Sequence, residues 1–162
     1  VADRHWIPVR RTWRLNERHY GALEGHGREE IRARFGDELF TAWRRSYDVA
    51  PPPTDRPGAD PRYRALGVDV PSSESLRDVL ARLLPYWKSA ICADLRAGRT
   101  VLVVAHGNVL RVLISHLERI PPDALRDITV PTGRPLRYEL SHELQVMHRR
   151  PLDPSAPTEQ RG

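Results

Sequence analysis

Residues 16–21 read NERHYG, which sets a glutamate, an arginine, a histidine and a tyrosine side by side at positions 17 to 20. Glu17 could carry a proton, Arg18 could grip an anion bidentately, and Tyr20 could donate a hydroxyl. A second stretch, residues 100–108 (TVLVVAHGN), ends on His106, Gly107 and Asn108. A histidine at a strand end can donate to a phosphate oxygen or take up a proton, and a helix starting there aims free N–H groups at an anion. Arg44 and Arg45 add two adjacent cations. Each feature also has a plainer reading: a structural histidine held by a backbone carbonyl, a solvated charge run, a surface pair. The other histidines (His5, His19, His26, His116, His142, His148) form no helical motif with a paired glutamate, so no metal site is expected.

The elements that would position these groups follow from apolar spacing. Residues 100–105 form an apolar run rich in β-branched side chains, which predicts a strand buried on both faces of a parallel sheet. Such a strand delivers His106 to its C-terminal end, where ligands of open α/β sheets bind. Helical spacing resumes at Val109, Val112, Leu113 and Leu117. Ile31, Phe35, Leu39, Phe40, Trp43 and Tyr47 predict an amphipathic helix over residues 29–47 that carries Arg44 and Arg45. A Pro-rich loop spans residues 49–71 and holds Tyr63. Ser72 or Ser73 is then expected to cap a helix through Leu76, Val79, Leu80, Leu83, Leu84 and Trp87, kinked or renewed at Pro85 and ending at Gly98. A short edge strand at residues 6–9, a helix capped by Asp123, and late strands at residues 136–140 and 144–148 complete the set. Beyond residue 150 the chain is Pro-rich and polar and is expected to form a loose tail. The pattern is α/β.

Composition narrows the classes. The chain has 162 residues, 40% hydrophobic and 29% charged, enough for one domain with a core and unlike a disordered segment. The longest apolar run, Val101 to Ala105, is far below the ~20 residues that cross a bilayer, and no signal-peptide pattern is present, so a cytoplasmic location is expected. A single cysteine, Cys92, excludes an internal disulfide and a cysteine zinc site. The net charge is +5, and Lys88 is the one lysine among 26 basic residues. Arginine in that excess suits nucleic acid or small phosphorylated and carboxylated ligands, and composition does not choose between them.

Taken in order, NERHYG at residue 16, WRR at 43–45, PYW at 85–87, AHGN at 105–108 and PTGRPLRYEL at 131–140 resemble one family. They are similar to the C-terminal two thirds of the cofactor-dependent phosphoglycerate mutases of the histidine phosphatase superfamily, over about residues 6–149. The resemblance implies a three-layer α/β/α sandwich with a mostly parallel sheet over residues 1–150. It also implies interconversion of 2- and 3-phosphoglycerate in glycolysis and gluconeogenesis. Phosphoryl transfer would run through a phosphohistidine, primed by 2,3-bisphosphoglycerate, without a metal, in a soluble enzyme that could be a homo-oligomer. Carried over by position, Glu17 resembles the general acid/base and His106 the histidine that stabilises the phosphoryl group in transit. Arg18, Tyr20, Arg44, Arg45, Gly107 and Asn108 match substrate-holding positions. Arg28 stands where the family commonly has a lysine, which keeps the charge and alters its geometry.

The family's Arg-His-Gly-Glu segment, with its nucleophilic histidine on a central strand, has no counterpart here, since no Arg-His-Gly triplet occurs in the sequence. The resemblance therefore predicts a truncated form with little activity of its own, because a covalent intermediate needs a nucleophile. Two competing readings are a catalytically dead basic binding module and a non-functional remnant. Against the first, the sequence has no recognition-helix motif, aromatic RNA-binding strand or contiguous basic block, so no nucleic-acid partner is expected.

Overall fold

Ser75 begins the longest helical stretch of the molecule. Its hydroxyl accepts the Asp78 N–H while the Asp78 carboxylate accepts the Ser75 N–H at 2.9 Å, a reciprocal capping box. The sequence expectation of Ser72 or Ser73 as the cap is thus off by two or three residues. Ser73 instead donates to the Pro51 carbonyl, tying down the preceding loop. The computed structural model describes residues 6–55 and 61–152. Within them α1 is Arg28–Arg45, α2 Pro61–Ala65, α3 Leu76–Tyr86, α4 Cys92–Arg96 and α5 Gly107–Glu118, and β1 is Leu136–Leu140 and β2 Val146–Pro151.

Pro85 sits inside α3, and a π turn, Trp87–Ile91, joins α3 to α4, with right-handed helical backbone angles at both junctions. Proline lacks the N–H that would bond back one turn, and a wider turn is one way a helix absorbs such a disturbance. The helical stretch ends at Gly98, whose φ of 73° is the left-handed conformation expected of a terminator.

Leu76, Val79 and Leu83 of α3 pack with Trp87, Ile91 and Cys92 against Val109, Val112 and Leu113 of α5, and Leu125 closes this core. Each such side chain, fully buried, contributes roughly 1.5–3 kcal/mol by leaving water. A smaller cluster joins Leu23 to Ile31, Phe40 and Trp43. The α1 helix is not the single rod that its spacing predicts. Gly36, with φ 82° and ψ 163°, kinks it, and Phe35 before the kink meets Trp43 after it edge-on at 5.1 Å. Glycine reaches that conformation without the steric cost other residues bear.

The strand expected at residues 100–105 forms no ladder among the described residues. Its side chains alternate: Val101, Val103 and Ala105 pack on the core, while Leu102 and Val104 are 81% and 78% exposed. Burial on both faces needs a second layer and flanking strands, and among the described residues no segment takes those places. The sheet that is present is a two-stranded antiparallel hairpin, β1 with β2, in which Arg137 faces Arg150 and Tyr138 faces Arg149. The first late strand lies where expected, and the second begins two residues later than its pattern suggests, because residues 141–145 form the turn. Residues 6–9 form no strand, and the segment after Pro121 is a 3-10 turn, Pro122–Asp127, with no side-chain cap from Asp123. The expected tail starts later than residue 151, because Pro151 pairs in β2 and the Leu152 N–H donates to the Pro135 carbonyl at 2.8 Å; from 153 onward it lies outside the described residues. No described helix is long and apolar enough to cross a membrane.

Candidate functional site

A buried ion pair holds the NERHYG stretch in place. Arg82, on the inner face of α3, donates from Nε to Glu74 at 2.6 Å, and the two side chains are almost wholly buried. Its Nη1 donates to the carbonyls of Trp13 and Arg14, and its Nη2 to Asn16 at 2.7 Å and Glu17 at 3.4 Å. Glu74 in turn accepts the His19 N–H at 2.8 Å. One guanidinium thus satisfies the carbonyls on the near side of Glu17, and its partner carboxylate fixes the backbone on the far side. Arg14 completes the clasp by donating to the Arg82 carbonyl at 2.9 Å.

Beyond this clamp the chain turns at Gly21, where φ is 61° and a Cβ would lie 2.0 Å from the Pro52 carbonyl oxygen. Only glycine fits that close approach. His19 serves the same turn, since its Nδ1 accepts the Gly21 N–H at 3.0 Å. That is the plainer, structural reading of this histidine.

Glu17, Arg18, Tyr20, Arg28, Arg44 and His106 line one open cleft of about 1170 Å³, together with Tyr63 and Leu66. Tyr63 enters it from α2, a short helix inside the stretch that the sequence reads as one Pro-rich loop, and its hydroxyl accepts from Asn16 Nδ2 at 3.1 Å. His106 is the exposed residue preceding α5, and no side chain caps that helix. Gly107 opens α5, and a Cβ there would meet nothing within 4 Å. Asn108 does not line the cleft itself but reaches it by donating to the Tyr20 hydroxyl at 2.9 Å. Arg45 stays outside, exposed, with Nη1 on the Arg126 carbonyl at 3.1 Å.

Arg18 is the unusual member. It is 2% exposed, its Nη2 donates to the Trp43 carbonyl, and its Nε and Nη1 have no partner. Its guanidinium carbon lies 4.5 Å from the centre of the Tyr20 ring. Burial, then Arg28, Arg45 and Arg18, hold the Arg44 guanidinium below the usual arginine range, while Tyr20 acts the other way. Arg111 is lowered likewise, by burial first and then by Arg45 and Arg18. Several cations therefore crowd one region, in which Glu17 and Glu24 are the carboxylates that line the cleft among the described residues. An anion entering the cleft would relieve that repulsion.

Sequence reasoning missed Arg82, Glu74 and Arg111. A signal existed for Arg82: it falls on the apolar stripe of α3 between Val79 and Leu83, where an unpaired arginine would not be tolerated. Arg111 stands one turn beyond Asn108, so it shares that residue's face.

With this geometry in place, residues 1–150 match the sequence pattern of the histidine phosphatase superfamily, branch 1. The chain belongs to that superfamily. Proteins named 2,3-bisphosphoglycerate-dependent phosphoglycerate mutase from Nocardioides sp. and Mycobacterium tuberculosis are each 53% identical to it over 96% of its length. One from Rhodococcus opacus is 53% identical over 91%. The chain spans 66%, 65% and 61% of the length of those three relatives, respectively. Among solved structures, mycobacterial glucosyl-3-phosphoglycerate phosphatase matches in its native form with TM-score 0.62 at 22% identity, covering 90% of this chain and 64% of that one. The same phosphatase with VO3 matches with TM-score 0.59 at 24% identity, covering 90% and 62%. At that identity the likeness is one of fold, and it places the domain in the α/β class of histidine phosphatases.

Proposed function

We propose that residues 1–150 form the substrate-binding and acid–base part of a phosphoglycerate mutase, interconverting 2- and 3-phosphoglycerate. The observation that carries this reading is the buried Arg18 guanidinium with two unpartnered nitrogens. A buried charge lacking partners costs several kcal/mol, and a bidentate phosphate or carboxylate is the group that offsets it best. The same orphaned nitrogens fit 2,3-bisphosphoglycerate, which Arg18, Arg28 and Arg44 would hold in the cleft. When bound, that molecule supplies the priming phosphoryl group.

In this reading Glu17 exchanges a proton with the substrate hydroxyl. Its Oε1 accepts the backbone N–H of Arg18 at 2.7 Å, which fixes the orientation of the carboxylate. His106, on the rim before α5, donates to the phosphoryl oxygens, and the first-turn N–H groups at Gly107 and Asn108 add uncharged donors. Tyr20 donates its hydroxyl, and Arg45 adds charge from outside the cleft. These parts position and neutralise, which is most of what phosphoryl transfer asks of a protein. The nucleophilic histidine of the mutases has no counterpart in the sequence, so the 162-residue chain is expected to bind phosphoglycerates without turning them over.

Calorimetry with 3-phosphoglycerate on wild type and Arg18→Met tests the reading. Loss of a charge-assisted pair is expected to weaken binding by about 10–100-fold. The unfolding midpoint should hold or rise, because the substitution also removes an uncompensated buried charge. Equal binding by the two chains would sink the proposal.

A further inference from the structure

Arg111, which neither the sequence motifs nor the proposed roles include, is wired to the cleft through two residues. Its Nε donates to the Ile128 carbonyl at 3.1 Å, which anchors the guanidinium. Its Nη1 donates to Asn108 Oδ1 at 3.0 Å, and Asn108 Nδ2 donates to the Tyr20 hydroxyl oxygen at 2.9 Å. Proton bookkeeping then becomes directional. A guanidinium has five N–H donors and no acceptor, so the end of the amide that faces it has to be the oxygen. The other end, facing Tyr20, is then the NH₂ group. Tyr20 accepts at that contact, and the one proton of its phenol is left to donate elsewhere, in the cleft that Tyr20 lines.

We propose that Arg111 is a positioning residue that fixes the polarity of the Asn108–Tyr20 hydrogen bond, so that the Tyr20 hydroxyl donates to an anionic oxygen of the bound phosphoglycerate. Without Arg111 the amide is free to turn over. Its oxygen would then take the phenolic proton, and Tyr20 would show an anion a lone pair instead of a donor. The inference rests on the phosphoglycerate reading for its ligand and not for its wiring.

The test is a double-mutant cycle on the full 162-residue chain, read by 3-phosphoglycerate binding. In the wild-type background Tyr20→Phe is expected to weaken binding about 10-fold, the usual worth of a hydrogen bond to a charged group. In an Arg111→Met background the same change is expected to cost less than about 2-fold, because the donor is already misdirected. Equal costs in the two backgrounds would mean that Arg111 acts only through its charge, and the inference would be wrong. Arg111→Lys keeps the charge and a donor for Asn108, so it should restore the dependence on Tyr20; failure to do so also counts against the inference. A ligand-free readout separates the two levels. The Asn108 side-chain amide protons should be slow to exchange in wild type and fast in Arg111→Met, by nuclear magnetic resonance. An unmoved Asn108 signal overturns the wiring alone. Absence of any 3-phosphoglycerate binding by wild type overturns the functional reading and the donation by Tyr20 with it.

Discussion

Joined to the N-terminal segment of a relative such as the Nocardioides protein, the Glu17→Gln variant is expected to lose about 10²–10⁴-fold in kcat while KM stays within roughly 3-fold of wild type. The expectation follows from what glutamine keeps and what it drops. It keeps the planar shape and an oxygen for the Arg18 N–H, which Glu17 Oε1 accepts at 2.7 Å. Backbone contacts from Arg82 and Glu74 on either side hold position 17, so the substitution should not move the chain. What glutamine drops is the ability to give and take a proton. Removing one negative charge beside several arginines should, if anything, favour an anionic ligand. A coupled assay over a range of substrate concentrations separates the two constants. A rise in KM with unchanged kcat would reassign Glu17 to binding.

The second large effect concerns stability. Arg82→Ala should lower the free energy of unfolding by about 3–5 kcal/mol, measured by urea denaturation, since it strands the buried Glu74 carboxylate. That is a large share of the 5–15 kcal/mol typical of a domain. Exposure of 7% for Arg82 and 3% for Glu74 leaves water little room to take over. The carbonyls of Trp13, Arg14 and Asn16 would lose their donor at the same time. For that reason an apolar pair, Arg82→Met with Glu74→Leu, should recover only part of the loss: it removes the stranded charge and still leaves those carbonyls unmet. Full recovery by the apolar pair would show that the clamp contributes nothing beyond its own charges.

Much of this was legible in the residues. Helical spacing located α3 and α5 because their apolar stripes are long and meet each other, and NERHYG and AHGN stood out because several chemistry-bearing types fell together. Three things were hidden, each for a physical reason. Spacing alone could not reveal the kink in α1, since Phe35 and Trp43 stay on a shared face by bending at Gly36. The run at residues 100–105 reads as a doubly buried strand because composition reports what a segment is suited to, whereas pairing depends on which neighbours lie beside it. Arg82 and Arg111 act on backbone carbonyls and on an amide distant in sequence, and such partners are chosen by the fold, not by local pattern.

The π turn has a consequence for how the chain tolerates a change of length. A π turn holds one residue more than the α turn it replaces, yet the helix on its far side keeps its rotational phase. Trp87 and Ile91 accordingly remain buried on one side although five residues span the turn. Removing a residue from an ordinary stretch of helix rotates everything beyond it by about 100°. Removing the exposed Ser89 should instead turn the segment into plain α-helix and leave Cys92 in the core and Asp94 facing Arg10 and Arg99. Lengthening and shortening are thus unequal perturbations here: the helix already carries an inserted residue, and a single deletion at that point returns it to the regular form.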